Sequence, residues 1–157
     1  MALEPNMTLR GAGLQIGIVV SRFNEAVSEQ LLSGAKRALA ELGVEPKHIF
    51  VVTVPGALEI AFALQELVAT EQFDALVALG AVIKGETYHF EIVANESAAG
   101  ITRVALEQEI PIGNGVLTTY SEEQALARAQ TKGYEAARAA VEMALLREYI
   151  QRELGAT

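Results

Sequence analysis

Cysteine and tryptophan are absent from this chain of 157 residues, and histidine occurs only twice. Without cysteine there is no disulfide framework, no thiolate-ligated zinc and no thiol nucleophile. Cationic charge is also scarce. Lysine and arginine number 12 against 20 carboxylates, a net charge of −8, which argues against nucleic acid or an anionic membrane as partner. No apolar run reaches the roughly 20 residues that span a bilayer, and nothing at the N-terminus has the pattern of a signal peptide. Apolar side chains, by contrast, make up 51% of the chain. That length and composition predict one domain, residues 1–157, with a substantial core and a soluble, cytoplasmic location.

The apolar residues follow two alternating periods. Gln15–Val20, His48–Val54, Ala75–Ile83 and Ile112–Thr118 read as strands, the third so continuously apolar that it must be buried on both faces. Helical spacing predicts Glu25–Leu42, ended by Gly43, then Leu58–Thr70 after the Pro55-Gly56 turn, then His89–Glu109. Ser121 with Gln124 matches a capping box that opens a short helix, and a separate long helix is predicted from about Gly133 to Leu154. Residues 1–13 read as an extended N-terminal arm. Strands and helices alternating over short connections predict an α/β three-layer sandwich. Its four-stranded parallel sheet would be doubly wound in the flavodoxin-like manner, with helices on both faces.

In such a sheet ligands bind beyond the carboxyl ends of the strands, against helix N-termini. The richest of these loops follows the third strand. Within a few residues Lys84, Gly85, Glu86, Thr87, Tyr88 and His89 bring together a cation, a carboxylate, a hydroxyl, a phenol and an imidazole. Gly85-Glu86-Thr87 can turn free backbone N–H groups outward as an anion cradle, and an imidazole there is suited to moving protons near neutral pH. Glu86 stands where a P-loop needs lysine, so this is no P-loop. His48, with nothing catalytic beside it, reads as a surface residue. After the first strand, Phe23 between Arg22 and Asn24 is either an anchor tucked onto the core or a platform for a flat heterocycle. After the second, Pro55-Gly56-Ala57-Leu58-Glu59 is either a helix start or a set of amides and a carboxylate facing a polyhydroxy ligand. Arg128, Lys132 and Glu135, taken singly, read as solvated helix charges.

Taken together, five segments resemble one family. They are Arg22-Phe23-Asn24, Val54-Pro55-Gly56-Ala57-Leu58-Glu59, Gly80-Ala-Val-Ile-Lys-Gly-Glu-Thr-Tyr-His-Phe-Glu91, Gly115-Val-Leu-Thr-Thr119 and Glu123-Gln124-Ala125 with Arg128. In this order and spacing they are similar to the lumazine synthase family, over about Gln15 to Ala144. The resemblance implies the lumazine synthase fold and a transferase needing no metal or organic cofactor. It would condense 5-amino-6-(D-ribitylamino)uracil with 3,4-dihydroxy-2-butanone 4-phosphate, the penultimate step of riboflavin synthesis, releasing phosphate and water.

The resemblance also implies site roles. Phe23 would stack on the pyrimidine, and Asn24, Ala57 and Glu59 would hold the ribityl chain, with Leu58 and Ala81 also binding substrate. The backbone of Val82 and Ile83 would read the uracil edge. Gly85, Glu86 and Thr87 would bind phosphate together with Arg128 from an adjoining subunit. His89 would shuttle protons, oriented by Glu135, and Lys132 would contact the pyrimidine. Asn114 occupies a substrate-binding position where an aromatic ring often closes the pocket, and Lys84 stands where many members have arginine. The chain is also shorter between Arg128 and Glu142 than many members. Homo-oligomers are implied, a pentameric ring at least, with decamers and icosahedral shells as further forms. Beyond Ala144 no family motif is matched. There Leu146, Ile150 and Leu154 predict a helix end that packs on another subunit or a different partner. Two other readings remain open on the sequence: a binding relative that has lost turnover, and an assembly unit in which the site is incidental.

Overall fold

The computed structural model describes residues 2 and 4–155, so residues 1 and 3 of the expected arm lie outside the described residues. The elements run β1 (Ile16–Ser21), α1 (Glu25–Glu41), β2 (Ile49–Val54), α2 (Ile60–Ala69), β3 (Ala75–Ile83), α3 (His89–Glu107), β4 (Ile112–Thr119) and α4 (Glu122–Leu154). Short 3₁₀ turns at Pro46–His48 and Ala57–Glu59 precede β2 and α2. The strands form one parallel sheet in the order β2-β1-β3-β4. The expected four-stranded α/β sandwich is therefore what forms.

Strand alternation sorts side chains between two cores. Ile16, Ile18 and Val20 of β1, with Val77 and Leu79 of β3, meet Leu31 and Leu39 of α1 and Val141 of α4 on one face. Val19, Leu76 and Ala78 meet Ile60 and Leu64 of α2 and Ile101 and Val104 of α3 on the other. The predicted burial of β3 on both faces holds, because every residue from Ala75 to Val82 is buried. Each fully buried Leu or Ile here contributes about 1.5–3 kcal/mol relative to exposure.

Local signals set the boundaries. Asn24 caps α1, its Oδ1 accepting from the Val27 N–H at 3.2 Å. At the other end Gly43, at φ +87°, donates to the Ala40 carbonyl while Val44 donates to that of Leu39, a Schellman closure that only a residue tolerant of the left-handed region makes cheaply.

Several expectations need correction. The short helix from Ser121 and the separate helix from Gly133 are one continuous helix of 33 residues. Gly133 does not start a helix. It sits against the Leu31 carbonyl in the interior of α4, and the Ala-, Glu- and Arg-rich residues around it are strong helix formers that absorb its cost of about 1 kcal/mol. The second and third predicted helices are shorter than expected, because Ala57–Glu59 is a 3₁₀ turn and Glu109 takes a positive φ of 51°. The 3₁₀ turn also removes His48 from β2 and leaves it half-buried, its Nδ1 3.7 Å from a Glu45 carboxylate oxygen, so it is not a freely solvated surface residue.

Candidate functional site

The loops after β1, β2 and β3 converge at the carboxyl end of the sheet around a cavity of about 280 Å³. Ten of the residues singled out from sequence line it: Phe23; Ala57, Leu58 and Glu59; Ala81, Val82 and Ile83; Gly85, Thr87 and His89. They come from four stretches of chain and meet because β1 and β3 are neighbours with β2 beside β1. Phe23 is 69% exposed, which removes the core-anchor reading and leaves an apolar ring free to cover a ligand. Glu59 sits at the entry of α2 and borders the same cavity. Gly56, from the segment read as facing a polyhydroxy ligand, lines it too, and so do Phe90 and Val93, which were not anticipated as site residues. The signal was present for the last two, since Phe90 follows His89 and Val93 lies one helical turn beyond it.

The β3–α3 loop is open to solvent and rich in unused donors. Lys84 N–H is taken by the Thr119 carbonyl at 2.9 Å. Among the described residues, no protein group accepts from the N–H groups of Gly85, Glu86 or Thr87. The Tyr88 side chain does not cap α3, and a 19-residue helix begins there. Free N–H groups at a helix N-terminus favour a bound anion. His89, the first residue of α3, has its imidazole exposed at the same rim, and among the described residues no carboxylate lies within ion-pair distance of it. Lys84 Nζ rests 5.4 Å from the centre of the Tyr120 ring, which in turn lies 6.3 Å from that of Phe90.

The remaining expected residues lie elsewhere on the chain. Glu86 is exposed in the loop but does not line the cavity. Asn24 spends its carbonyl oxygen on the helix cap. Arg128 and Lys132 border a separate groove with Thr118, Tyr120 and Gln124, and a further one with Glu135. The Arg128 guanidinium donates to the Gln124 carbonyl of its own helix at 3.0 Å. Asn114 is exposed in β4 opposite Ala78, below the strand ends, and its Oδ1 accepts from the Val116 N–H at 2.9 Å. One copy of the chain thus joins Phe23 to His89 but brings neither Arg128, Lys132, Glu135 nor Asn114 to them. Among the described residues no cluster of three or more His, Asp or Glu side chains could hold a metal ion, and no helix is long and apolar enough to cross a membrane.

The family model of 6,7-dimethyl-8-ribityllumazine synthase matches residues 13–148. This chain belongs to the lumazine synthase family. Curated proteins of that name align with it over 91% of its length. One from Azoarcus sp. (strain BH72) is 59% identical over 143 residues, 92% of its own length. Those from Burkholderia mallei (strain SAVP1) and Burkholderia pseudomallei (strain K96243) are 60% identical over 143 residues, 82% of theirs. The matched region contains all four strands, α1 to α3, most of α4 and all the residues that line the cavity, and it stops within α4, before Ile150 and Leu154.

Proposed function

We propose that the cavity bounded by Phe23, Glu59, Val82 and His89 is where this lumazine synthase condenses 5-amino-6-(D-ribitylamino)uracil with 3,4-dihydroxy-2-butanone 4-phosphate. The amine adds to the ketone and water leaves to form a Schiff base. Phosphate is then eliminated, the resulting enol becomes a ketone, and the second ring closes as the ribityl-bearing nitrogen adds to that ketone and a second water leaves. None of these steps needs a strong covalent nucleophile, a metal or an organic cofactor. They need two reactants held together, an anion site and a proton carrier. Holding the reactants together supplies as much as about 7–11 kcal/mol in favourable intramolecular cases, and proton transfer through His89 adds about 10²–10⁴-fold.

In this reading Phe23 covers the pyrimidine, and the backbone of Val82 and Ile83 faces its edge. Asn24, Ala57, Leu58 and Glu59 hold the ribityl chain, with Ala81 behind them. The free N–H groups of Gly85, Glu86 and Thr87 receive the phosphate. Arg128 and Lys132, with Glu135 and Asn114, complete the site of a neighbouring copy, where Glu135 orients that copy's His89. The chain works as one domain, residues 1–13 as its arm, in a cytoplasmic homo-oligomer built on a pentameric ring. The observation that carries the reading is a single cavity holding the Phe23 ring and the His89 imidazole beside backbone N–H groups that no protein group among the described residues accepts from, with Arg128 and Lys132 bordering a separate groove of the same molecule.

Mixing both substrates with purified protein and following lumazine absorbance and fluorescence tests this directly. Product formation is expected, at a rate that falls when His89 is replaced. Riboflavin binding without any product would overturn the enzymatic reading in favour of a binding protein.

A further inference from the structure

Helix α4 carries Arg128, Lys132 and Glu135 on one face and meets α1 on the opposite side. The contact there is backbone against backbone. A Cβ placed on Gly133 would lie 2.0 Å from the Leu31 carbonyl oxygen, and one placed on Gly34 would lie 2.1 Å from that of Gln130. The contact is therefore reciprocal, each glycine receiving the carbonyl that stands three residues before the other. A similar approach fixes α4 to the sheet, because a Cβ on Gly113 of β4 would lie 1.9 Å from the Ala136 carbonyl oxygen.

Polar contacts set the register of the crossing. Gln130 Nε2 donates to Gln30 Oε1 at 3.0 Å and to Ser33 Oγ at 3.1 Å. One turn on, the Tyr134 hydroxyl donates to Glu41, and the Arg37 guanidinium lies 4.5 Å from the centre of the Tyr134 ring. The bonds lie at the surface, while Gln130 and Tyr134 are themselves half-buried and the Tyr134 ring packs against the core. Their effect is to hold one helix against sliding or rolling on the other. Helix α1 begins at the Asn24 cap, directly after Phe23, so the crossing ties α4 to the body of its own copy.

We infer that Gly34, Gly133, Gln130 and Tyr134 are positioning residues for the condensation, fixing α4 on α1 so that Arg128 projects at the height the phosphate-bearing substrate requires. The inference rests on the proposed role of Arg128 in phosphate binding. Arg128, Lys132 and Glu135 lie at i, i+4 and i+7, so any shift or roll of α4 moves all three together. A methyl group at Gly133 forces such a movement, and a misplacement of about 1 Å by a change remote from the chemistry can cost about 10²-fold.

The test is steady-state kinetics on assembled protein, each substrate varied in turn, for Gly133→Ala, for the double variant Gln130→Ala/Tyr134→Phe, and for Arg128→Ala as reference. Arg128→Ala and Gly133→Ala are each expected to raise the KM for the phosphate-bearing ketone by about 10-fold or more, toward the 10²-fold limit of such misplacements. The KM for the pyrimidine should rise less than that for the ketone, since Lys132 is its one proposed contact on α4 while Phe23 and the cavity that receives it lie on other elements. The double variant removes no core volume and creates no clash, so it carries the test even if Gly133→Ala does not fold. It is expected to show the same larger rise in the ketone KM, with any fall in kcat reporting the accompanying shift of Glu135. A purely structural role would lower the melting temperature and leave both KM values alone. If Arg128→Ala raises the ketone KM while the folded variants at the crossing leave it unchanged, the positioning role is overturned and the Arg128 assignment survives. If Arg128→Ala itself leaves that KM unchanged, the phosphate assignment fails and the positioning role fails with it.

Discussion

His89 stands at the start of α3 with its ring exposed at the cavity rim, so replacing it removes a proton carrier without opening a hole in the core. His89→Ala is expected to lower kcat by about 10²–10⁴-fold, with native stability and residual turnover from the bound, oriented reactants. Stopped-flow fluorescence of product formation measures it, and an unchanged kcat would remove His89 from proton transfer. Tyr134 gives a pH prediction of known sign. Its proton is held by the Glu41 carboxylate, which raises the phenol above its ordinary 10.0, with partial desolvation and the Glu41 charge adding to the effect and Arg138 and Arg37 opposing it. A folded value above the unfolded one means that this stabilisation is complete below the unfolded value and is lost as pH rises through the folded one. Urea denaturation at about pH 9 and about pH 11 should therefore show the wild type losing more stability than Tyr134→Phe across that interval. Equal losses would contradict it.

Among the elements, α1 is where a structural and a ligand role share one residue. Asn24 caps the helix with its carbonyl oxygen and keeps its amide donors free. Asn24→Ala is expected to cost about 0.5–2 kcal/mol of stability, whereas Asn24→Asp keeps the cap and nearly all of that. Both lose the amide donors, so both should weaken binding of the ribityl-bearing pyrimidine. Thermal denaturation alongside calorimetric titration separates the two effects, and unchanged affinity in Asn24→Asp would leave only the cap. Helix α4 shows where local pattern misleads. Its capping signal was legible and the cap is real, Ser121 Oγ accepting from the Gln124 N–H at 3.1 Å. The Gln124 side chain, however, closes on the Tyr120 N–H and not on that of Ser121. Gly133 looked like a boundary because glycine is a poor helix former. What it serves is contact with a carbonyl on α1, a partner about 100 residues away in sequence that no window along the chain contains.

At the scale of the whole molecule, large apolar side chains stay in solvent on several elements, among them Phe62 on α2, Leu106 on α3 and Leu154 at the end of α4. Such residues scattered singly are ordinary, but several on different faces of a chain with a split site fit a surface that other copies cover. Light scattering is expected to give a pentamer or a multiple of it. Shared sites predict more. Co-assembly of His89→Ala subunits with Arg128→Ala subunits should give activity above that of either variant alone, because some interfaces then combine an intact His89 with an intact Arg128. No recovery in verified mixed assemblies would place the two residues' functions within one copy.

The chain's pattern alone determined the parallel four-stranded sandwich and the apolar continuity of β3, and it singled out the loop from Lys84 to His89, part of which lines the cavity. Each of these is written in contiguous residues, through the two- and 3.6-residue periods and the place where a buried strand stops. Only the tertiary structure decided that Phe23 is exposed over the cavity, that α4 is unbroken, and that Arg128 and Lys132 border a different groove from the cavity that His89 lines. Those outcomes depend on which surfaces meet. Packing between distant segments sets them, through carbonyls and side chains that local sequence does not bring together.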